Sequence, residues 1–126
     1  MTENAIVWSY ANAWEPIARM QPQAPAVLQG ERVLSWGDFD AQADALAARL
    51  LAAGLEKNAK VGIYFHNCAE YLTATYAAFK VGMAPFNVNY RYTADELLYL
   101  FDNADAEAVV FHAGFAARIE DIRARL

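Results

Sequence analysis

The sequence predicts an α/β domain: a layered, largely parallel sheet with flanking helices, entered through an N-terminal β-hairpin. Three observations predict it. Residues 60–65 form a short apolar strand-type run, and residues 71–79 form a helix-length stretch without a single charge. A second strand-type run and a polar elbow, Asn87-Val88-Asn89-Tyr90-Arg91-Tyr92, follow. The unit of strand, polar cap and helix then recurs along the chain, which suits βαβ connections. A helix apolar on all sides is expected to be buried on all sides. Two strands joined by such a crossover must be parallel, with a right-handed connection.

Taken in order, residues 4–20 carry Ile6, Tyr10, Ala13, Trp14, Ile17 and Ala18 at helical spacing, with Pro16 expected to start a second, shorter turn. The aromatic stripe Trp8, Tyr10 and Trp14 suits core or interdomain packing. Residues 20–25 are a connector punctuated by Pro22 and Pro25. Residues 26–29 and 32–36 read as strands around Gly30-Glu31, where a glycine at the first central position suits a type II′ turn. Ser35 can cap the next helix, whose apolar face is Phe39, Ala43, Leu46, Leu50 and Ala53, with Asp38, Asp40 and Asp44 early and Arg49 late. Gly54 marks its end. Asn67 with Glu70 reads as a capping-box-like start to the uncharged helix. Thr93 with Glu96 forms another, opening a helix to about Asn103 that packs through Leu97, Leu98, Phe101 and Ala104. Residues 107–111 are a second buried-type strand, with His112, Ala113 and Gly114 at its exit. Phe115, Ile119, Ile122 and Leu126 mark a last amphipathic helix.

The bulk properties narrow the function. A chain of 126 residues suits one folded unit, residues 1–126, and its 57% hydrophobic content argues against disorder. The net charge of −5, with no basic run, makes nucleic acid and anionic membrane poor partners. No apolar run approaches the ~20 residues of a membrane span, and the first residues lack a secretory leader. A single cysteine, Cys68, excludes an internal disulfide and a cysteine-only metal site, as a reducing cytoplasm would have it.

Motif by motif, the chain is sparing. Its six glycines build no GxGxxG, no GxxxxGK[ST] and no GxSxG elbow. His66 and His112 have no metal-type spacing, so no metal is expected. What remains are strand ends, where parallel sheets collect ligands. His66 and Asn67 follow the first parallel strand; Asn87, Asn89, Tyr90 and Arg91 form the elbow after the second. Arg91 can pair a phosphate or carboxylate; the alternative is a brace to Asp95 or Glu96. Cys68 in a first helical turn reads either as a favoured thiolate or as a small buried hydrophobe. Glu70 and Glu96 read as capping partners rather than acids or bases.

Three stretches in order carry a resemblance: Pro25-Ala26-Val27, then GERVLSWGDFDAQADALAARLLAAGL, then KVGIYFHNCAEYLTATYAAFKVGMAPFNVNYRYTADELLYLFDNADAEAVVF. The series resembles the N-terminal region of adenylate-forming acyl-CoA synthetases, and the elbow NVNYRYTADEL looks like a bacterial subgroup acting on long-chain or sterol side-chain acids. The resemblance implies a two-step reaction in which ATP and a carboxylic acid give acyl-adenylate, and CoA then displaces AMP. It implies ATP, Mg2+ and CoA as cofactors of the full-length enzyme, and the remainder of its own chain and a fatty or sterol-derived acid as partners. The family's phosphate loop and later motifs do not occur here, so no catalytic residue is carried onto this chain. The expectations are an N-terminal fragment of the large domain, inactive alone, with a cytoplasmic setting. His66, Asn67, Asn87, Asn89, Tyr90 and Arg91 are expected to form a wall of the substrate or CoA channel. An apolar sheet edge left open by truncation would favour a homo-oligomer. A stand-alone binding module and the start of a peptide-synthetase adenylation domain are the alternatives.

Overall fold

A computed structural model describes residues 9–126; Ile6 and Trp8 lie outside the described residues. Helix α1 (Tyr10–Met20) precedes a hairpin of β1 (Pro25–Gln29) and β2 (Arg32–Ser35). Then come α2 (Trp36–Ala52), β3 (Lys60–Tyr64), α3 (Ala69–Lys80), β4 (Ala84–Val88), α4 (Ala94–Asn103) and β5 (Ala108–Phe111). A short 3-10 turn (Ala113–Phe115) leads into α5 (Ala116–Arg123).

Strands β4, β3 and β5 form a parallel sheet in that order. The first crossover steps from β3 to β4; the second returns over β3 to its other side. Two crossovers of one hand that move in opposite directions must lie on opposite faces. They do. Val61 and Ile63 of the central strand, and Phe65 just beyond it, pack with α1, α2, α3 and the hairpin. Tyr64 faces the other way, into Leu97 and Phe101 of α4 and Ile122 of α5. Gly62 lies on that second face, where an added Cβ would stand 3.2 Å from Phe86 and Val88 and 3.4 Å from Phe101. Its missing side chain is the space that lets α4 reach the sheet.

Local signals account for most element ends. Gly30 has φ +58 while Glu31 does not share that sign, the pattern of a type II′ turn, and Gln29 pairs Arg32 across it. Ser35 Oγ accepts from Asp38 N, and Gly54, at φ +87, ends α2. Thr93 and Glu96 close a reciprocal capping box on α4.

Several expectations are corrected. Ser9 and Asn12 make a capping box, and α1 then runs unbroken through Pro16, its inner face packed on α2 and α3. Trp36 opens α2 rather than ending β2. Ala53 and Leu126 are exposed and take no part in the core. Strands β4 and β5 are the two edges of the sheet, β4 half-buried at best until Val88 and β5 half-buried throughout, and neither is a buried strand. Helix α3 is not enclosed on all sides: Leu72 is exposed, and Tyr71 and Thr75 are half-buried, where the hairpin leaves a gap.

The start of α3 differs most. Its N-cap is Cys68, which makes no side-chain cap, and Asn67 is exposed. The free N–H of Ala69 donates instead to Gln29 Oε1 at 2.8 Å. Arg32 Nη1 donates to both carboxylate oxygens of Glu70. The hairpin therefore caps α3 in trans, and Glu70 turns outward to meet Arg32 instead of folding back on its own helix.

A polar node joins the three helices of the first core. Lys80 Nζ, on a side chain only 5% exposed, lies 3.1 Å from Glu15 of α1 and 2.7 Å from both Asp40 and Asp44 of α2. Tyr76 Oη donates to Asp40 at 2.6 Å, and the lysine sits 4.6 Å above the Tyr76 ring.

Candidate functional site

The reversal of strand order after β4 makes the carboxyl ends of β3 and β5 a topological switch point, where open parallel sheets leave a crevice for ligands. The chain places rings there. His66, two residues beyond β3, has its ring centroid 4.9 Å from Tyr90, 5.8 Å from His112 and 4.7 Å from Phe115. His112 and Phe115 are 6.0 Å apart. Both histidines are exposed, and Tyr90 and Phe115 are half-buried.

The elbow positions two of these groups by local chemistry. Asn89 Oδ1 accepts from Arg91 N at 2.9 Å, and Tyr92 N donates to the Asn89 carbonyl at 3.1 Å. This Asx-type turn swings Tyr90 back over His66 and holds the Arg91 guanidinium 5.5 Å from the Tyr90 ring centre. The bracing alternative for Arg91 is not realised. Glu96 serves the Thr93 cap, and Asp95 lies 3.5 Å from Arg125. Arg91 is exposed and has no ion pair among the described residues, so its charge is available to an anion.

The structure thus brings together His66, Asn89, Tyr90 and Arg91. It leaves Asn67 and Asn87 apart: Asn67 borders the cleft between hairpin and α3, and Asn87 is exposed on the edge strand. It adds His112 and Phe115, which the sequence offered only as a strand exit and a packing position. The usable signal was that each histidine stands just after a strand; adjacency of β3 and β5 supplies the rest. His112 Nδ1 accepts from Gly114 N at 2.9 Å, so the neutral ring carries its proton on Nε2. Glu96 is held below the usual carboxylate range by the Thr93 backbone and side-chain hydrogen bonds, as a cap should be.

Chemically, this is a cluster of mutually tilted rings with one exposed cation and two imidazoles. No nucleophile-and-base pair is formed in it. Among the described residues no group of three or more histidine, cysteine, aspartate or glutamate side chains converges to hold a metal, and the sequence has no glycine-rich loop to cradle phosphates. The residues present therefore do not by themselves fit a magnesium nucleotide. No helix of the described residues is long and apolar enough to cross a membrane.

Beneath the surface, Tyr64 stacks on Phe115 with centroids 4.4 Å apart. Its hydroxyl is buried with no hydrogen-bond partner among the described residues. Such an orphan costs about 1–3 kcal/mol. Tyr64→Phe is expected to unfold at an equal or higher urea concentration than the parent chain; a lower midpoint would show that the hydroxyl gains an acceptor in solution.

The comparisons with known proteins agree with this architecture. The AMP-binding enzyme family matches residues 14–125. The chain is 34% identical over 118 residues to the medium/long-chain-fatty-acid–CoA/3-oxocholest-4-en-26-oate–CoA ligase of Mycobacterium tuberculosis, covering 94% of this chain and 22% of that protein. It is 30% identical over 135 residues to the medium-chain acyl-CoA ligase Mig of Mycobacterium avium, covering 97% of this chain and 24% of that protein. In fold it superposes on an anthranilate CoA ligase crystallised with anthranoyl-AMP, with a TM-score of 0.88 at 19% identity, over 99% of this chain and 24% of that one. The chain spans about a fifth of the length of the curated relatives it matches. With most of its length matched and its parallel sheet superposed, the chain belongs to the AMP-binding enzyme family.

Proposed function

We propose that this chain is the N-terminal part of the large domain of an ATP-dependent acyl-CoA synthetase for fatty or sterol-derived carboxylic acids, and that it is a scaffold and channel wall rather than a catalytic unit. The parent would join acid and ATP into acyl-AMP and pyrophosphate, then pass the acyl group to the CoA thiol. The observation that carries the reading is the match of nearly the whole chain to about a fifth of the acyl-CoA ligases, together with the lack of any phosphate-binding loop in the sequence. ATP, Mg2+ and CoA would be held by parts of the parent outside this chain, in keeping with a cytoplasmic enzyme.

Within the parent, His66, Tyr90 and Arg91 would form the wall over which the substrate or CoA passes, with Asn89 fixing the elbow; Asn67 and Asn87 would flank it. The unpaired charge of Arg91 is the group best placed to meet an anion. In a longer ligase carrying this region, Arg91→Ala should raise KM for the acid or for CoA about ten-fold, the size of a lost charge-assisted hydrogen bond of ~1.5 kcal/mol or more. The turnover number should stay within about three-fold, because the residue binds and does not react. Unchanged KM for both substrates, measured by AMP release, would remove Arg91 from the channel.

A further inference from the structure

The parallel strands end side by side in the order β4, β3, β5. The elbow leaves β4 on one side of the central strand, and the turn into α5 leaves β5 on the other. One side chain joins the two. Arg118, near the start of α5, donates from Nη1 to the Tyr92 carbonyl of the elbow at 2.7 Å, across 26 residues of sequence. Glu120 does not compete for it, lying 3.6 Å from Arg123. Between the joined segments stands His66, whose ring meets Tyr90 of the elbow at 4.9 Å and Phe115 before α5 at 4.7 Å.

We infer that Arg118 is a positioning residue: it straps the elbow across the end of β3 and so fixes where Arg91 presents its charge. The role rests on the reading of the elbow as a channel wall. Local chemistry does not supply it. The Asn89 side chain and carbonyl accept from Arg91 N and Tyr92 N, which sets the shape of the turn from within. Those bonds do not tie the turn to the sheet, and β4 is an edge with no strand outside it. Tyr90 and Tyr92 rest half-buried against the second core, but apolar contact is non-directional. A hydrogen bond to a carbonyl has a preferred direction. Arg118 therefore adds the orientation of the Tyr92 peptide, and with it the orientation of the turn between Asn89 and Tyr92 in which Arg91 sits. Its planar fork holds that direction better than a lysine ammonium on a flexible stem.

NMR of the chain tests the strap without reference to any reaction. In Arg118→Ala the contact between the His66 and Tyr90 rings should weaken and the ring-proton signals of both should shift. The contact between His66 and Phe115 should persist, with a melting temperature within about 5 °C of the parent, since the residue is exposed. Arg118→Lys should restore the first contact in part. An unchanged His66–Tyr90 contact in Arg118→Ala overturns the proposal, and so does loss of both contacts, which would be general loosening. In a longer ligase carrying this region, Arg118→Ala should raise the same KM as Arg91→Ala, by about five-fold, with kcat within about three-fold. Added to Arg91→Ala it should raise that KM by no more than about two-fold, because both act through one cation. A KM that responds to Arg91→Ala and not to Arg118→Ala overturns the positioning role. If the ring contact is lost and neither substitution moves a KM, the strap is upheld and it is the channel-wall reading that falls.

Discussion

Lys80→Met should lower the stability of this chain by about 2–3 kcal/mol, or roughly 10 °C in melting temperature. The methionine keeps the length and apolar stem but removes the buried ammonium that Glu15, Asp40 and Asp44 share. Removing one partner of a buried pair costs about 3–5 kcal/mol when the other is left dry. Here the carboxylates retain some water, Asp44 most of all, so the lower figure applies. Arg32→Ala gives the comparison. It breaks the exposed pair with Glu70 and should cost under about 1 kcal/mol. If the two substitutions prove equal, the Lys80 node is not what ties the first three helices together.

The node also sets a pH dependence with a definite sign. Burial alone would raise the Asp40 carboxyl, but hydrogen bonds from Lys80 and Tyr76 and the charge of Lys80 outweigh it, and the group is held below its ordinary value. A depressed acid stabilises the fold above its unfolded value of about 3.9 and gives that up as pH falls through the folded one. Burial likewise opposes the charge on Lys80, but its hydrogen bonds to Asp40, Asp44 and Glu15 prevail and hold the ammonium well above its usual range. That contribution is complete below about pH 10 and is lost only as pH rises through the folded value. The contribution of these two groups should therefore be flat between these limits. In Lys80→Met, with the lysine gone, Asp40 is left with burial, the Tyr76 bond and the charge of Arg19, and the acid loss should begin at higher pH. Denaturation midpoints at a series of pH values would show the displacement.

How much of this was legible in the sequence follows from where each partner stands. Signals with partners a few residues apart were readable: Ser35 on Asp38, Thr93 with Glu96, the Gly30 turn, the Gly54 stop. The parallel unit was readable too, since an uncharged helix between two apolar runs permits little else. The start of α3 was misread because its acceptor, Gln29, lies 40 residues away, and nothing local tells Asn67 that it will not be used. The Lys80 node was invisible for the same reason: Asp40 and Asp44 made sense as dipole-favoured acids, and only the packing of α2 on α3 turns them toward a lysine. At the candidate site, the elbow residues could be named from composition and position. Their grouping with His112 and Phe115 could not, since it depends on β5 returning to the far side of β3. Asn67 and Asn87 share the same polar stretches and fall outside the cluster because a strand end fixes only a neighbourhood, while backbone direction decides which side chains meet.

The central claim is that the chain supplies a structural wall to a ligase and none of its chemistry. It is tested most directly by incubating the 126-residue chain with ATP, Mg2+, CoA and a panel of medium-chain, long-chain and sterol side-chain acids, and following acyl-CoA by mass spectrometry. A longer ligase containing this region serves as the positive control. The account predicts thioester from the control and none above background from the chain alone, with no acyl-AMP either. Sustained, acid-dependent thioester formation by the isolated chain would contradict it, because the residues that grip the phosphates and carry the acyl transfer would then have to lie among those described here.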